Sequence, residues 1–92
     1  MRISRFEFSK KFEKSFIKLT VGEQARVQVA LRKAAVDLND PSLRPHELKG
    51  ARAGTVSLNA GGDLRILCRL FEEDGQVVAF IQLVGTHSQL YG

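Results

Sequence analysis

The stretch "DLRILCRLF" at residues 63–71 decides how this chain folds. Leu64, Ile66, Cys68 and Leu70 recur at every second position, while Asp63, Arg65, Leu67, Arg69 and Phe71 alternate with them. Successive side chains of a strand point to opposite faces, so this period predicts one apolar face and one face carrying Asp63, Arg65 and Arg69. Downstream, Glu73-Asp74-Gly75 reads as a hairpin turn, because Asp-Gly accepts the positive φ angles that tight hairpins need. The turn leads into "QVVAFIQLV" (76–84), the most apolar stretch, read as the central strand of the sheet. Upstream, "TVSLN" (55–59) sets Val56 and Leu58 against Thr55, Ser57 and Asn59.

Further upstream the period lengthens. "RISRFEF" (2–8) reads as a short first strand. Ser9 can cap a helix in which Phe12, Phe16 and Leu19 recur at i, i+4 and i+7. Thr20-Val21-Gly22-Glu23 has the spacing of a capping box and opens a second helix, with Val27, Leu31, Ala34, Ala35 and Leu38 on one face. Asp40-Pro41 is expected to end it, because proline disfavours helical geometry in the residue before it. "PSLRPHELKGARAG" (41–54), with two prolines and two glycines, reads as a loop. The order is β-αα-βββ, an α+β fold with a helical hairpin on one face of a mainly antiparallel four-stranded sheet. The helices are expected to cover Leu64, Ile66, Cys68 and Leu70, leaving a partly open polar surface on the other side.

At 92 residues, one domain spanning 1–92 is expected. Hydrophobic content of 43% and charged content of 26% are those of a folded chain rather than a disordered tail. No apolar run reaches the roughly 20 residues of a membrane helix, and "MRISRFEFSKKF" lacks a signal-peptide core, so no membrane partner is expected. A lone cysteine cannot form an internal disulfide, which suits a cytoplasmic protein. The formal charge of +4 is compatible with a nucleic-acid partner and equally with an acidic protein.

Three groups of side chains can converge on the open face: Asp63, Arg65 and Arg69 of the strand; Arg44, His46 and Lys49 of the loop; and His87 and Tyr91 of the tail. Imidazole can give or take a proton near neutrality, and arginine and lysine can stabilise charge building on phosphate. Such a set suits metal-independent RNA cleavage, in which the 2′-hydroxyl attacks the adjacent phosphate. Read singly, each has a structural explanation. His87 is then a solvated tail residue, His46 a hydrogen-bond partner of its turn, and Asp63 a turn former after Gly61-Gly62. Arg65, Arg69 and Lys49 become solvating cations, and Tyr91 an anchor for the tail. Cys68 points inward and reads as a small core residue. His46, His87 and Asp63 match no compact metal motif, so neither a metal nor a small-molecule cofactor is expected.

"HELKG", "GGDLRILCRL", "VVAFIQLVGTHS" and the terminal "QLYG", in that order, resemble the RelE/ParE toxin superfamily and most closely its YafQ-like branch. The resemblance spans nearly the whole chain and implies a RelE-like fold. It implies a type II toxin that cleaves mRNA in the ribosomal A site, with the ribosome, mRNA and a cognate antitoxin protein as partners. His46, Asp63, His87 and Tyr91 match the YafQ-like functional positions, and Lys49 and Arg65 match those of RelE-like members. His87 would be the general acid, Asp63 or His46 the base or the group orienting the 2′-hydroxyl, and Lys49, Arg65 and Arg69 the stabilisers of charge. Asn59 stands where YafQ-like toxins carry another histidine, and asparagine cannot transfer a proton at neutral pH. Two alternatives stay open: a ParE-like inhibitor of gyrase, and a degenerate toxin that retains only antitoxin binding.

Overall fold

A computed structural model describes residues 2–91, leaving Met1 and Gly92, the last residue of "QLYG", outside the described residues. The elements are β1 (Arg5–Phe8), α1 (Lys10–Ile17), α2 (Val21–Val36), β2 (His46–Glu47), β3 (Val56–Asn59), β4 (Leu64–Glu73), β5 (Gln76–Thr86) and α3 (His87–Tyr91). The sheet order is β1-β5-β4-β3-β2, with β1 parallel to β5 and every other pair antiparallel. The sheet is therefore mixed and has five strands, one more than expected. The addition is β2, a two-residue strand inside the segment read as a loop, with His46 opposite Ser57 and Glu47 opposite Val56. Two residues carry no detectable period, so only the pairing with β3 reveals it. The middle strand is β4 rather than β5, and β5 is interior because β1 pairs along its other edge.

Local signals place the helices as expected. The Ser9 hydroxyl accepts from Phe12 N–H, and Thr20 and Glu23 form the reciprocal capping box. Helix α2 ends at Val36, short of Asp40, with Asp37 in extended geometry as its C-cap. The chain then makes a short 3-10 turn, Pro41–Leu43, capped by the Asp40 side chain. Leu38 and Leu43 lie beyond the helix and are still buried. The Asp74-Gly75 turn has φ of 53° and 77°, the left-handed pair expected of this hairpin.

Phe12 of α1 and Val27, Ala30 and Ala34 of α2 share a core with Leu58, Leu64, Ile66, Cys68, Ala79, Ile81 and Val84 of the sheet. Cys68 is fully buried there. The opposite face is less open than alternation suggests. Leu67 (0% exposed), Val78 (3%) and Ser57 (1%) lie outside the main core and are nevertheless buried. No helix among the described residues is long and apolar enough to cross a membrane.

Two consequences of this packing can be measured. Burial pushes the Cys68 thiol from its ordinary 9.0 up to about 11. An unfolded thiol then ionises before the folded one as pH rises, so stability should fall between pH 9 and 11. Urea unfolding across that range should show the decline in the wild type and a shallower one in Cys68→Val; parallel curves would refute it. Thr20→Ala should cost about 1 kcal/mol in the same assay through loss of the capping box.

Candidate active site

The site is organised by the passage of β5 into α3. The register of β5 against β4 shifts between Leu67, opposite Leu83, and Cys68, opposite Ile81, leaving Gln82 as an extra residue. Before the bulge Ala79 and Ile81 face the helices, and after it Val84 does. Leu83 and Gly85 are thereby turned to the opposite side. A Cβ on Gly85 would meet Gln89 Oε1 at 2.9 Å and a Leu90 methyl at 3.4 Å, so the absence of a side chain lets α3 fold down close to the strand.

Helix α3 follows β5 without a linker and is held by a second capping box. Thr86 N–H donates to Gln89 Oε1 at 2.8 Å, and Gln89 N–H donates to the Thr86 hydroxyl at 3.3 Å. His87 N–H donates to the Asp63 carbonyl at 3.2 Å, Arg52 Nη2 to the Leu90 carbonyl at 3.2 Å, and the Tyr91 hydroxyl to Ser57 Oγ at 3.4 Å. The terminal segment is thus tied to β3, to the turn before β4 and to the Gly50–Arg52 3-10 turn. Thr86-x-x-Gln89 is legible in the sequence and would have announced this helix.

His46, Leu48, Ser57, Arg65, His87 and Tyr91 line one cavity of about 230 Å³. His87 and Tyr91, one helical turn apart, place their ring centroids 4.6 Å from each other at 57°. His46 comes from β2, and its Nδ1 lies 3.2 Å from the Arg44 carbonyl. A carbonyl can only accept, so this bond puts the proton on Nδ1 and leaves Nε2 with its lone pair. Arg65 of β4 donates Nη1 to Asn59 Oδ1 at 2.8 Å and reaches the Gly62 and Leu64 carbonyls at 3.0 Å. Its Nε and Nη2 have no partner among the described residues and remain for a ligand. Asn59 in turn donates Nδ2 to the Ser42 carbonyl at 3.1 Å. Asn59 therefore orients the arginine.

The other expected residues lie outside this cavity. Asp63 is exposed, and its tie to the site is its main-chain carbonyl on His87. Arg44 is exposed in left-handed geometry, φ 44°, and contributes its carbonyl to His46. Lys49 is exposed at the start of the Gly50–Arg52 turn. Arg69 donates to the Ala53 carbonyl at 3.1 Å, over Gly54. Ser57, Leu48 and Arg52 are additional participants. Ser57 shares the alternation parity of Asn59, so its face was legible; the bond from Arg52 to Leu90 spans 38 residues and left no local trace. No group of three or more His, Cys, Asp or Glu among the described residues could hold a metal.

Tyr91 is the sole tyrosine of a chain without tryptophan, so tyrosine fluorescence reports on α3 alone. Arg52→Ala should lower Tyr91 anisotropy and cost about 1 kcal/mol in global stability. Unchanged anisotropy would show that Arg52 does not hold the helix.

No protein-family model and no curated protein matches the chain in sequence. Solved structures do match it. YafQ from E. coli superposes with a TM-score of 0.70 at 16% identity, covering 100% of both chains. The YoeB/ParE toxin from Agrobacterium tumefaciens gives 0.70 at 15% identity over 90% of this chain and 98% of that one. A chain of the toxin–antitoxin complex RelBE2 from Mycobacterium tuberculosis gives 0.59 at 26% identity, covering 90% and 96%. With its mixed sheet, its N-terminal helices and a terminal helix closing one face, this chain has the fold of the RelE/ParE toxin superfamily.

Proposed function

We propose that the chain is the toxin of a type II toxin–antitoxin pair and cleaves mRNA in the ribosomal A site without a metal ion, in the cytoplasm. The observation that carries this reading is the meeting of two imidazoles and a guanidinium, from β2, α3 and β4, in one small cavity. A general base, a general acid and a cation are what transesterification of a phosphodiester requires.

His46 Nε2, freed by the Nδ1 bond, takes the proton of the 2′-hydroxyl. The 2′-oxygen attacks phosphorus, the bond from phosphorus to the 5′-oxygen breaks, and a 2′,3′-cyclic phosphate forms. His87 protonates the departing 5′-oxygen. The unengaged edge of Arg65 stabilises charge on the non-bridging oxygens, held in place by Asn59. Tyr91 fixes the His87 ring and offers a face for base stacking. Asp63 acts through its main chain, and Arg44, Lys49 and Arg69 add positive potential around the cavity without lining it. The replacement of histidine by Asn59 is compatible with activity here, because Asn59 serves Arg65 and need not carry a proton.

The YafQ of E. coli has been crystallised in complex with DinJ, and RelBE2 is itself a toxin–antitoxin complex; both support a cognate antitoxin as partner here.

Primer extension on a reporter mRNA in a reconstituted translation system tests the proposal. Cuts in phase with codons, seen only on translated mRNA, are expected. His46→Ala and His87→Ala should each lower cleavage by about 10²-fold or more. Asp63→Asn, which keeps the carbonyl on His87, should cost less than about tenfold. Intact mRNA with folded protein overturns the nuclease, and a large loss in Asp63→Asn overturns its main-chain role.

A further inference from the structure

A second concave surface lies on the far side of α3. Helix α1 presents Lys11, Lys14 and Lys18 at i, i+3 and i+7, which puts them on one side of the helix. Together with Arg52 they line a cleft of about 450 Å³ floored by Leu83 and walled by Gln89 of α3. The single acid on its wall, Glu23, commits Oε1 to the amide of Thr20 in the capping box. None of the four cations has a carboxylate within ion-pair distance among the described residues, where Arg5 pairs with Glu7 and Glu73. Like charges so grouped repel one another, and one carboxylate on the wall does not balance four cations.

We infer that this cleft binds the phosphodiester backbone of single-stranded RNA, at nucleotides flanking the one held in the candidate active site. The inference extends the proposed RNA substrate and rests on that reading for its choice of polymer. Three features favour a nucleic-acid backbone over an acidic peptide. The lysines extend about 10 Å along the helix, long enough to meet successive phosphates of one strand rather than a single anionic group. Lysine is a point charge suited to phosphate, and its flexible stem tolerates any base sequence. The cleft shares a wall with the cavity of His46 and His87, since α3 turns Gln89 to one and His87 to the other. A strand lying over α3 would engage both. Arg52 belongs to the cleft and also holds the Leu90 carbonyl, so it joins the phosphate surface to the helix that carries His87.

The probe is a fluorescein-labelled 12-nucleotide 2′-O-methyl RNA, which lacks the attacking hydroxyl and therefore reports binding whether or not the protein is a nuclease. Anisotropy titrations from 50 to 200 mM salt would compare the wild type with two charge-matched triples, each checked for folding by circular dichroism. In Lys11→Gln/Lys14→Gln/Lys18→Gln the slope of log K against log salt should become shallower by about 2, at roughly 0.7 per phosphate contact. In Arg26→Gln/Arg32→Gln/Lys33→Gln, on α2 away from the cleft, the change should be much smaller. Equal losses in the two triples would mean attraction by net charge alone and overturn the inference. An unchanged slope in the α1 triple, or no binding by the wild type, would overturn it as well. Loss of mRNA cleavage in the translation assay with this binding intact would instead strike the nuclease reading.

Discussion

The extra residue in β5 is the constraint on which the arrangement of the cavity around His46 and His87 depends. Gln82 shifts the register, so that Val84 continues the face covered by the helices while Leu83 and Gly85 turn to the opposite side. Its carbonyl is used too. The Ser9 hydroxyl donates to Gln82 O at 2.6 Å while accepting from Phe12 N–H, and Ser9 N–H donates to Ile81 O at 3.0 Å. One side chain thus caps α1 and pins the bulge, coupling the first helix to the strand that leads into the helix of His87 and Tyr91. Bulges commonly occur where a strand must re-aim its side chains, and here the re-aiming brings Gly85 under α3.

From that geometry follows a division of labour between the faces of the sheet. One face holds the main core and resists water. The other is closed by a five-residue helix, too short to be stable alone, which is held by its capping box with Thr86 and by bonds to Ser57, Asp63 and Arg52. That arrangement positions two imidazoles while leaving them exposed at the surface. Exposed side chains carry large conformational freedom, and ring contact with Tyr91 for His87, or a carbonyl bond for His46, removes part of it. Arg65 follows the same principle, with Asn59 fixing one nitrogen and leaving the others outward.

Basic residues are distributed unequally between two roles. Arg65 and Arg52 each bond to the protein through one nitrogen and lie at a concave surface, where a second interaction is possible. Lys11, Lys14 and Lys18 have no hydrogen-bond or ion-pair partner among the described residues and line the second cleft as free charges. The two kinds of cation meet at α3.

Much of this was legible in the residues because it rests on short-range rules. Alternation in "DLRILCRLF", the caps at Ser9 and Thr20 and the Asp-Gly turn each act within a few residues, and each appears in the structure. The convergence of His46, Arg65, His87 and Tyr91 on one face was also readable, from strand parity and chain order. Tertiary structure decided the rest. Strand β2 exists only as a partner of β3, and Leu67 is buried on a face whose alternation reads as polar. Asp63 and Lys49 share the neighbourhood of the histidines in sequence order but stay outside their cavity. The register shift at Gln82 and the bond from Arg52 to Leu90 join residues far apart in the chain. Such contacts form only once the core has fixed where each strand lies, so no local pattern encodes them.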